Sequence, residues 1–295
     1  MKDKVGIVVV TYNRLEMLKD LISSLRNQEY SNYEIIVINN SSTDGTKNFL
    51  EQQTDLTVIT QKNCGGAGGF FTGLKYVTEH DFDYAWVMDD DVLVKKNSLS
   101  KLIEKTNDVE GFLCSKVVDS EGNPCNVPGI FMEKQKNGEV EWNKKIEENL
   151  IKLSVASFVS VLIPIKVIKE VGLPYKEFFI WGDDTEYTKR ISSKYESYLC
   201  GTSIVEHRRK INKTLSIFSE KDSRRINNFY YFYRNTLFYE RKYSSSMKIL
   251  YRYCRVIVDF LRAFFSFKFT ALCVITRALI ASFFFKPKVC YICKD

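Results

Sequence analysis

Three consecutive aspartates, Asp89, Asp90 and Asp91, close an apolar strand-like run from Tyr84 to Met88, and a second acidic pair, Asp183 and Asp184, follows much later. Carboxylates crowded at the end of a buried strand repel one another and cost several kcal/mol to desolvate unless a cation or hydrogen-bond donors compensate them. Hard cations such as Mg²⁺ and Mn²⁺ do this well, and Mg²⁺ is commonly shared between one or two carboxylates and the phosphates of a substrate. The acidic run therefore implies a divalent cation and a phosphate-bearing donor. Val92, Leu93 and Val94 argue against the blander reading of a solvated acidic turn. The later pair adds a carboxylate that can serve as a base.

Two further groups carry chemistry. The run Asn63-Cys64-Gly65-Gly66-Ala67-Gly68-Gly69-Phe70 lets backbone approach a ligand closely before a helix, as a phosphate- or sugar-facing loop needs. A dinucleotide-binding fold would place its glycines after the first strand, where Thr11-Tyr12-Asn13-Arg14 stands instead, so a nicotinamide cofactor is disfavoured. Of the two histidines, His80 lies in a polar loop. His207 follows a short apolar run and opens the basic stretch Arg208-Arg209-Lys210, where an imidazole ligand would sit beside phosphate-pairing cations.

The elements that must position these residues alternate. Val5 to Thr11 reads as a buried strand, and Leu15 to Arg26 carries apolar residues at helical spacing. Strands follow at 33–39, 56–60 and 84–88, with Ser42 or Thr43 capping a helix at 46–53 and a second helix at 70–79. Such alternation implies a parallel, doubly wound sheet with its ligand site outside the carboxyl ends of the strands. Further strands are expected at 111–118 and 157–165, a loop-rich excursion at 123–142, and a helix at 165–171. Asp183 and Asp184 fall where an aromatic segment turns into a helix, which brings carboxylates near backbone N–H groups.

Read together, Val-Thr-Tyr-Asn-Arg, Val-Ile-Asn-Asn-Ser-Ser-Thr-Asp-Gly-Thr, the glycine run, Met-Asp-Asp-Asp-Val, Trp-Gly-Asp-Asp-Thr-Glu-Tyr and the later histidine resemble the ordered signature of inverting family 2 glycosyltransferases of the GT-A fold. The glycine run and Trp-Gly-Asp-Asp are similar to the galactofuranosyltransferase and rhamnosyltransferase branch. The resemblance covers residues 5 to 210. It implies a Rossmann-like, mostly parallel sheet flanked by helices, with Thr11, Tyr12 and Arg14 around the nucleotide base and Asn39 against it. Many relatives carry aspartate at that last position, but an amide still offers a donor and an acceptor to a uracil or thymine edge. By the same resemblance Gly65 and Gly66 face the nucleotide sugar, and Asp90 lies near the ribose or sugar. Asp89, Asp91 and His207 hold Mn²⁺ or Mg²⁺, Asp184 is the general base, and Asp183 and Trp181 position the acceptor. The implied donor is a UDP-sugar, with a dTDP-sugar as the alternative, and the implied acceptor is a lipid-linked saccharide.

Composition bounds the rest. The 295 residues are 45% hydrophobic and 27% charged with 5 prolines, a globular composition without low-complexity segments. The net charge of +7 conceals an asymmetry, because 19 Lys and Arg face only 5 Asp and Glu from His207 onward, while the first 206 residues carry an acidic excess. The first apolar run, Val5 to Val10, is too short for a signal peptide, which leads to the expectation of a cytoplasmic protein with reduced cysteines. Cys290 and Cys293 form a CxxC with no second pair at metal-ligand spacing.

Two domains are expected, a catalytic one at 1–215 and a helical, membrane-associating extension at 216–295. In the latter, Lys248, Arg252, Arg255, Asp259 and Arg262 recur at steps of four and three on an otherwise apolar helix. A narrow cationic stripe beside a broad apolar face fits a helix lying in a membrane interface, here on the inner face of the cell membrane. Cations interleaved with aromatics also suit nucleic acid, but the long apolar face argues for lipid. Residues 263–285 are long enough to span a bilayer, yet Arg277 near the centre would cost about 2.5 to 3.5 kcal/mol, which favours surface binding.

Overall fold

A computed structural model describes residues 2–132, 134, 138–208 and 216–292. The chain forms two compact units, one of Met1–Lys176, Asp184–Lys210 and Val289–Asp295, the other of Glu177–Asp183 and Ile211–Lys288. The second unit thus takes a short loop from the middle of the sequence as well as the helical region expected from 216 onward.

The first unit begins with strand β1 (Val5–Thr11), helix α1 (Leu15–Arg26), β2 (Tyr33–Asn39), α2 (Thr46–Glu51), β3 (Leu56–Thr60), α3 (Gly65–Glu79) and β4 (Tyr84–Asp89). It continues through β5 (Val92–Val94), α4 (Ser98–Ile103), β6 (Leu113–Val118), β7 (Gly129–Ile130), β8 (Leu150–Val155), β9 (Val161–Pro164), α5 (Ile165–Val171), α6 (Asp183–Ser192) and the long β10 (Ser197–His207). These strands form one sheet in the order β3-β2-β1-β4-β9-β6-β10-β8-β7, with β5 paired to β10. The half from β3 to β4 is parallel throughout. Beyond β4 the sheet is mixed, because β9 runs antiparallel to both β4 and β6 and β8 antiparallel to β10 while β6 and β10 run parallel, and the whole is the helix-flanked sheet of mainly parallel strands that the resemblance implies.

Strand β1 shows how the sheet is buried on both sides. Val5, Ile7 and Val9 point into one apolar layer with Leu18, Leu21, Ile22 and Leu25 of α1, whereas Val8 and Val10 point into the other with Phe70, Leu74 and Val77 of α3. A strand covered on both faces reads as a continuous apolar run, which is why VGIVVVT shows no alternation. Each fully buried Leu, Ile or Val in these layers stabilises the fold by about 1.5 to 3 kcal/mol.

The glycines do something other than form a loop. Gly65 to Gly69 lie within the first turns of α3, so the helix starts five residues earlier than its apolar spacing predicts. A Cβ on Gly69 would fall 2.3 Å from Val10 Cγ1, and one on Gly73 would fall 2.2 Å from Val8 Cγ1, so bare backbone lets α3 sit directly on β1. Gly66 is different, with nothing within 4 Å of its Cβ position. The cap of α2 also departs from expectation. Asp44, rather than Ser42 or Thr43, accepts from the Thr46 N–H and hydroxyl at 3.2 and 2.6 Å and from Leu15 N–H at 3.0 Å, tying two helix starts together.

Near its end the chain returns to this unit. Leu173 N–H donates to Cys290 O at 2.8 Å, and Val289 packs where any Cβ on Gly172 would fall. The CxxC partner Cys293 lies outside the described residues, and Cys290, like Cys64, Cys114, Cys200, Cys254 and Cys273, is in no disulfide.

The second unit holds α7 (Ser223–Tyr243), α8 (Ser246–Phe265) and α9 (Phe269–Phe284), packed through Phe229, Tyr233, Leu237, Val256, Ala263, Val274, Ile275 and Ala278. The apolar run 263–285 is broken between α8 and α9, where Phe267 takes φ 53°. Among the described residues no helix is long and apolar enough to cross a membrane. Helix α8 buries only Val256 and Ala263, leaving Leu250, Ile257, Val258, Leu261, Phe264 and Phe265 exposed.

Candidate metal and donor site

The acidic run lies where β4 leaves the sheet and turns into β5. β5 pairs back onto the end of β10, with Val92 opposite His207, and Arg208 N–H donates to Asp91 O at 2.8 Å. That pairing brings together residues distant in sequence. Asp89, Asp91 and His207 each offer a ligand atom, all within 4.8 Å of one another. His207 Nε2 stands 3.0 Å from Asp91 Oδ1, and its Nδ1 stands 2.8 Å from Asn126 Oδ1.

The electrostatics of the group are unbalanced. Burial, then the charges of Asp91, Asp90 and Asp184, hold the Asp89 carboxyl well above its usual range. Burial likewise pushes Asp90 up to about 6, opposed by Arg14 and by the Thr11 hydroxyl that donates to it at 2.8 Å. Burial also presses Asp91 upward, but its bonds to His207 and Arg14 win and hold it at about 2. Two carboxylates and an imidazole with one member destabilised by its neighbours fit a hard divalent cation, which removes the repulsion the protein leaves uncompensated.

The expected base lies beside this group. Asp184 is in the first turn of α6, and its Oδ1 accepts from Thr185 N–H at 2.6 Å and from the Thr185 hydroxyl at 3.2 Å. Burial raises its pKa against these bonds. Helix α6 is anchored from below by a buried Glu186–Arg190 pair at 2.9 Å, whose guanidinium also donates to the carbonyls of Val171 and Leu173.

The other expected donor residues gather at the carboxyl ends of β1 and β2. Thr11 and Tyr12 N–H both bond Asp90, Tyr12 is exposed, and the Arg14 guanidinium bridges Asp90 and Asp91. Asp90 is therefore held by the segment expected at the nucleotide. Asn39 is fully buried, and its Oδ1 accepts from Ser42 N–H at 3.0 Å while its Nδ2 has no hydrogen-bond partner among the described residues. An orphaned amide donor at the end of a strand paired on both sides is costly in a finished core and suits a ligand acceptor. Gly65, at φ 73°, has its N–H bonded to Asn63 Oδ1 and its carbonyl to Asn40 Nδ2, next to the open Gly66 position.

Trp181 and Asp183 belong to the helical unit. Trp181 takes φ 63° and packs on Phe229 and Phe232, with ring centroids 5.2 and 6.2 Å away. The loop that carries it is pinned by Asn235, whose Nδ2 donates to the carbonyls of Phe178, Ile180 and Trp181, and by Arg234, which donates to Glu177 O at 2.6 Å. Asn126 and Asn235 have no motif around them in the sequence. Only the folded chain shows what they hold.

The sequence description of glycosyl transferase family 2 matches residues 6–161, and the chain belongs to that family. A GalNAc(5)-diNAcBac-PP-undecaprenol beta-1,3-glucosyltransferase of Campylobacter jejuni is 28% identical over 41% of this chain and 40% of its own length. A galactofuranosyltransferase of Mycolicibacterium smegmatis is 23% identical over 62% of this chain and 64% of its own. The curated relatives are covered to between 16% and 69% of their length. Among solved structures, S. aureus TarS 1-349 in complex with UDP-GlcNAc matches with TM-score 0.54 and 17% identity over 80% of this chain and 66% of that one, a likeness of fold alone.

Proposed function

We propose that this chain is an inverting, metal-dependent glycosyltransferase that moves galactofuranose from UDP-galactofuranose onto a lipid-linked glycan in bacterial surface polysaccharide synthesis. The convergence of Asp89, Asp91 and His207 beside Asp184 carries the reading. The galactofuranosyltransferase relative supports the sugar, and the relative named for a PP-undecaprenol substrate supports the acceptor class.

In this reading Thr11, Tyr12, Arg14 and Asn39 surround the nucleotide, with the free Asn39 amide donor turned to the base. Gly65 and Gly66 give the sugar diphosphate room. Mn²⁺ or Mg²⁺ held by Asp89, Asp91 and His207 would neutralise the charge developing on the departing nucleoside diphosphate. Asp184 takes the proton of the acceptor hydroxyl as that oxygen attacks the anomeric carbon, on the face opposite the breaking bond to the diphosphate. One displacement inverts the configuration. Burial makes Asp184 a stronger base than a solvated carboxylate, and general-base catalysis is worth about 10² to 10⁴ in rate. Asp183 and Trp181 position the acceptor.

The exposed apolar face of α8 beside its cationic stripe supports peripheral attachment to the inner face of the cell membrane. Rhamnosyl transfer from dTDP-rhamnose would use the same residues, and a membrane-bound scaffold with an inactive transferase domain would use none. Hydrolysis of UDP-galactofuranose and dTDP-rhamnose by the purified protein separates the donors. Metal-dependent UDP release should fall at least about 10²-fold in Asp184→Asn with donor binding retained. Unchanged release removes Asp184 from its role, and no release from either donor leaves the scaffold.

A further inference from the structure

A cavity of about 310 Å³ opens in the helical unit between α7, α8 and the segment 216–218, and none of the metal or donor residues lines it. Its floor is apolar, with Phe229 and Val256 buried, and three arginines of α8, Arg252, Arg255 and Arg262, reach it from the cationic stripe. They are not equivalent. Arg252 is paired with Glu240 at 3.1 Å, whereas neither Arg255 nor Arg262 has a carboxylate in ion-pair range among the described residues. The Arg262 guanidinium lies over the Phe218 ring at 4.2 Å, which fixes its plane and leaves its N–H edge for an acceptor. The carboxylate in the cavity, Asp259, accepts from the Tyr233 hydroxyl at 2.9 Å, so it offsets part of the positive charge without engaging either arginine.

Arg255 and Arg262 are both exposed, and what marks them is that two guanidiniums without a carboxylate partner among the described residues line one cavity with an apolar floor, a fork geometry that suits phosphate oxygens. Val258 stands three residues from Arg255 and four from Arg262, hence beside both on the helix, and leads from them to the exposed Leu261 and Phe265. A ligand that satisfies both surfaces has a phosphate head and an apolar tail. We propose that this cavity binds the phosphate or diphosphate ester of a polyprenyl lipid, and so seats the carrier end of the acceptor. The inference rests on the lipid-linked acceptor proposed above, and it adds the residues that recognise the carrier.

The test uses the full chain with three probes: phosphatidylcholine vesicles carrying polyprenyl diphosphate, the same vesicles carrying phosphatidylglycerol at equal charge, and inorganic pyrophosphate in solution. Binding to polyprenyl diphosphate vesicles should exceed that to phosphatidylglycerol vesicles at least about tenfold, and Arg255→Gln/Arg262→Gln should abolish the difference. Equal affinity for the two vesicles, or a preference that survives in the variant, overturns the proposal. Pyrophosphate binding that is as tight as vesicle binding and is lost in the variant supports the anion site and assigns it a soluble phosphate. If the variant does not fold, slowed amide exchange around the cavity in the natural protein on adding pyrophosphate supports the site, and unchanged exchange overturns it. Lipid diphosphate binding without sugar transfer from any donor retires the transferase reading and leaves this site standing. Transfer that ignores the diphosphate does the reverse.

Discussion

His207 is gripped from both sides, by Asp91 at Nε2 and by Asn126 at Nδ1. The second contact orients the ring, because a proton donated from Nδ1 to the amide oxygen leaves Nε2 for a cation. Asn126 holds φ 45° to reach that place, a conformation that asparagine tolerates better than most residues. Asn126→Ala should weaken Mn²⁺ binding about 10- to 100-fold without removing any ligand. Calorimetric titration of the variant with Mn²⁺ measures it, and an unchanged affinity would detach Asn126 from the metal site.

Acid should stabilise the metal-free protein in a defined window. An unfolded aspartate titrates at about 3.9, and Asp90 in the folded chain at about 6, so the folded state holds that proton more tightly. The stabilisation is complete below about 4 and is lost as pH rises through about 6, with an upper value of about 3 kcal/mol. Asp89 shifts in the same direction, whereas Asp91, held at about 2, loses its contribution only below this window. Urea unfolding with a chelator across pH 4 to 7 should therefore show falling stability, with a shallower fall in Asp90→Asn.

Two glycines in one helix should respond differently. Gly73→Ala drives a methyl into Val8 and should cost about 1 to 3 kcal/mol of stability. Gly66→Ala meets open space, so its melting temperature should hold while the KM for the nucleotide sugar rises. A parallel loss of stability in both variants would make the whole run a packing device.

The apolar face of α8 gives the membrane reading a direct check. Ile257 and Leu261 are 49% and 44% exposed, so Ile257→Glu/Leu261→Glu should leave the fold intact. Each side chain withdrawn from lipid forfeits about 1.5 to 3 kcal/mol, and flotation with anionic vesicles should drop at least about tenfold. Undiminished flotation would mean that another surface makes the contact.

How much of this was readable beforehand depends on how local each signal is. The parallel half of the sheet was legible because strands buried on both faces leave unbroken apolar runs, and β1, β2 and β3 match the expected bounds. The mixed half was legible only in part: the strands expected at 111–118 and 157–165 fall on β6 and β9, but β7 has only two residues, and the antiparallel partners are set by tertiary pairing. The acidic cluster could be found from the charge conflict within Asp89, Asp90 and Asp91, but placing His207 there took the family resemblance. Asn126 and Asn235 stayed hidden because a polar side chain that bonds partners distant in sequence leaves no periodicity behind. The start of α3 was missed because glycine has low helix propensity, and close packing on β1 outweighs it here.

The polypeptide passes between its two units four times, after Lys176, Asp183, Lys210 and Lys288. A protease that nicks any one of these junctions severs the backbone yet leaves both bodies joined through the other three. The helices are in this sense sewn into the first unit, and a label on Cys290, whose carbonyl accepts from Leu173 N–H, reports on that unit and not on the helices that precede it.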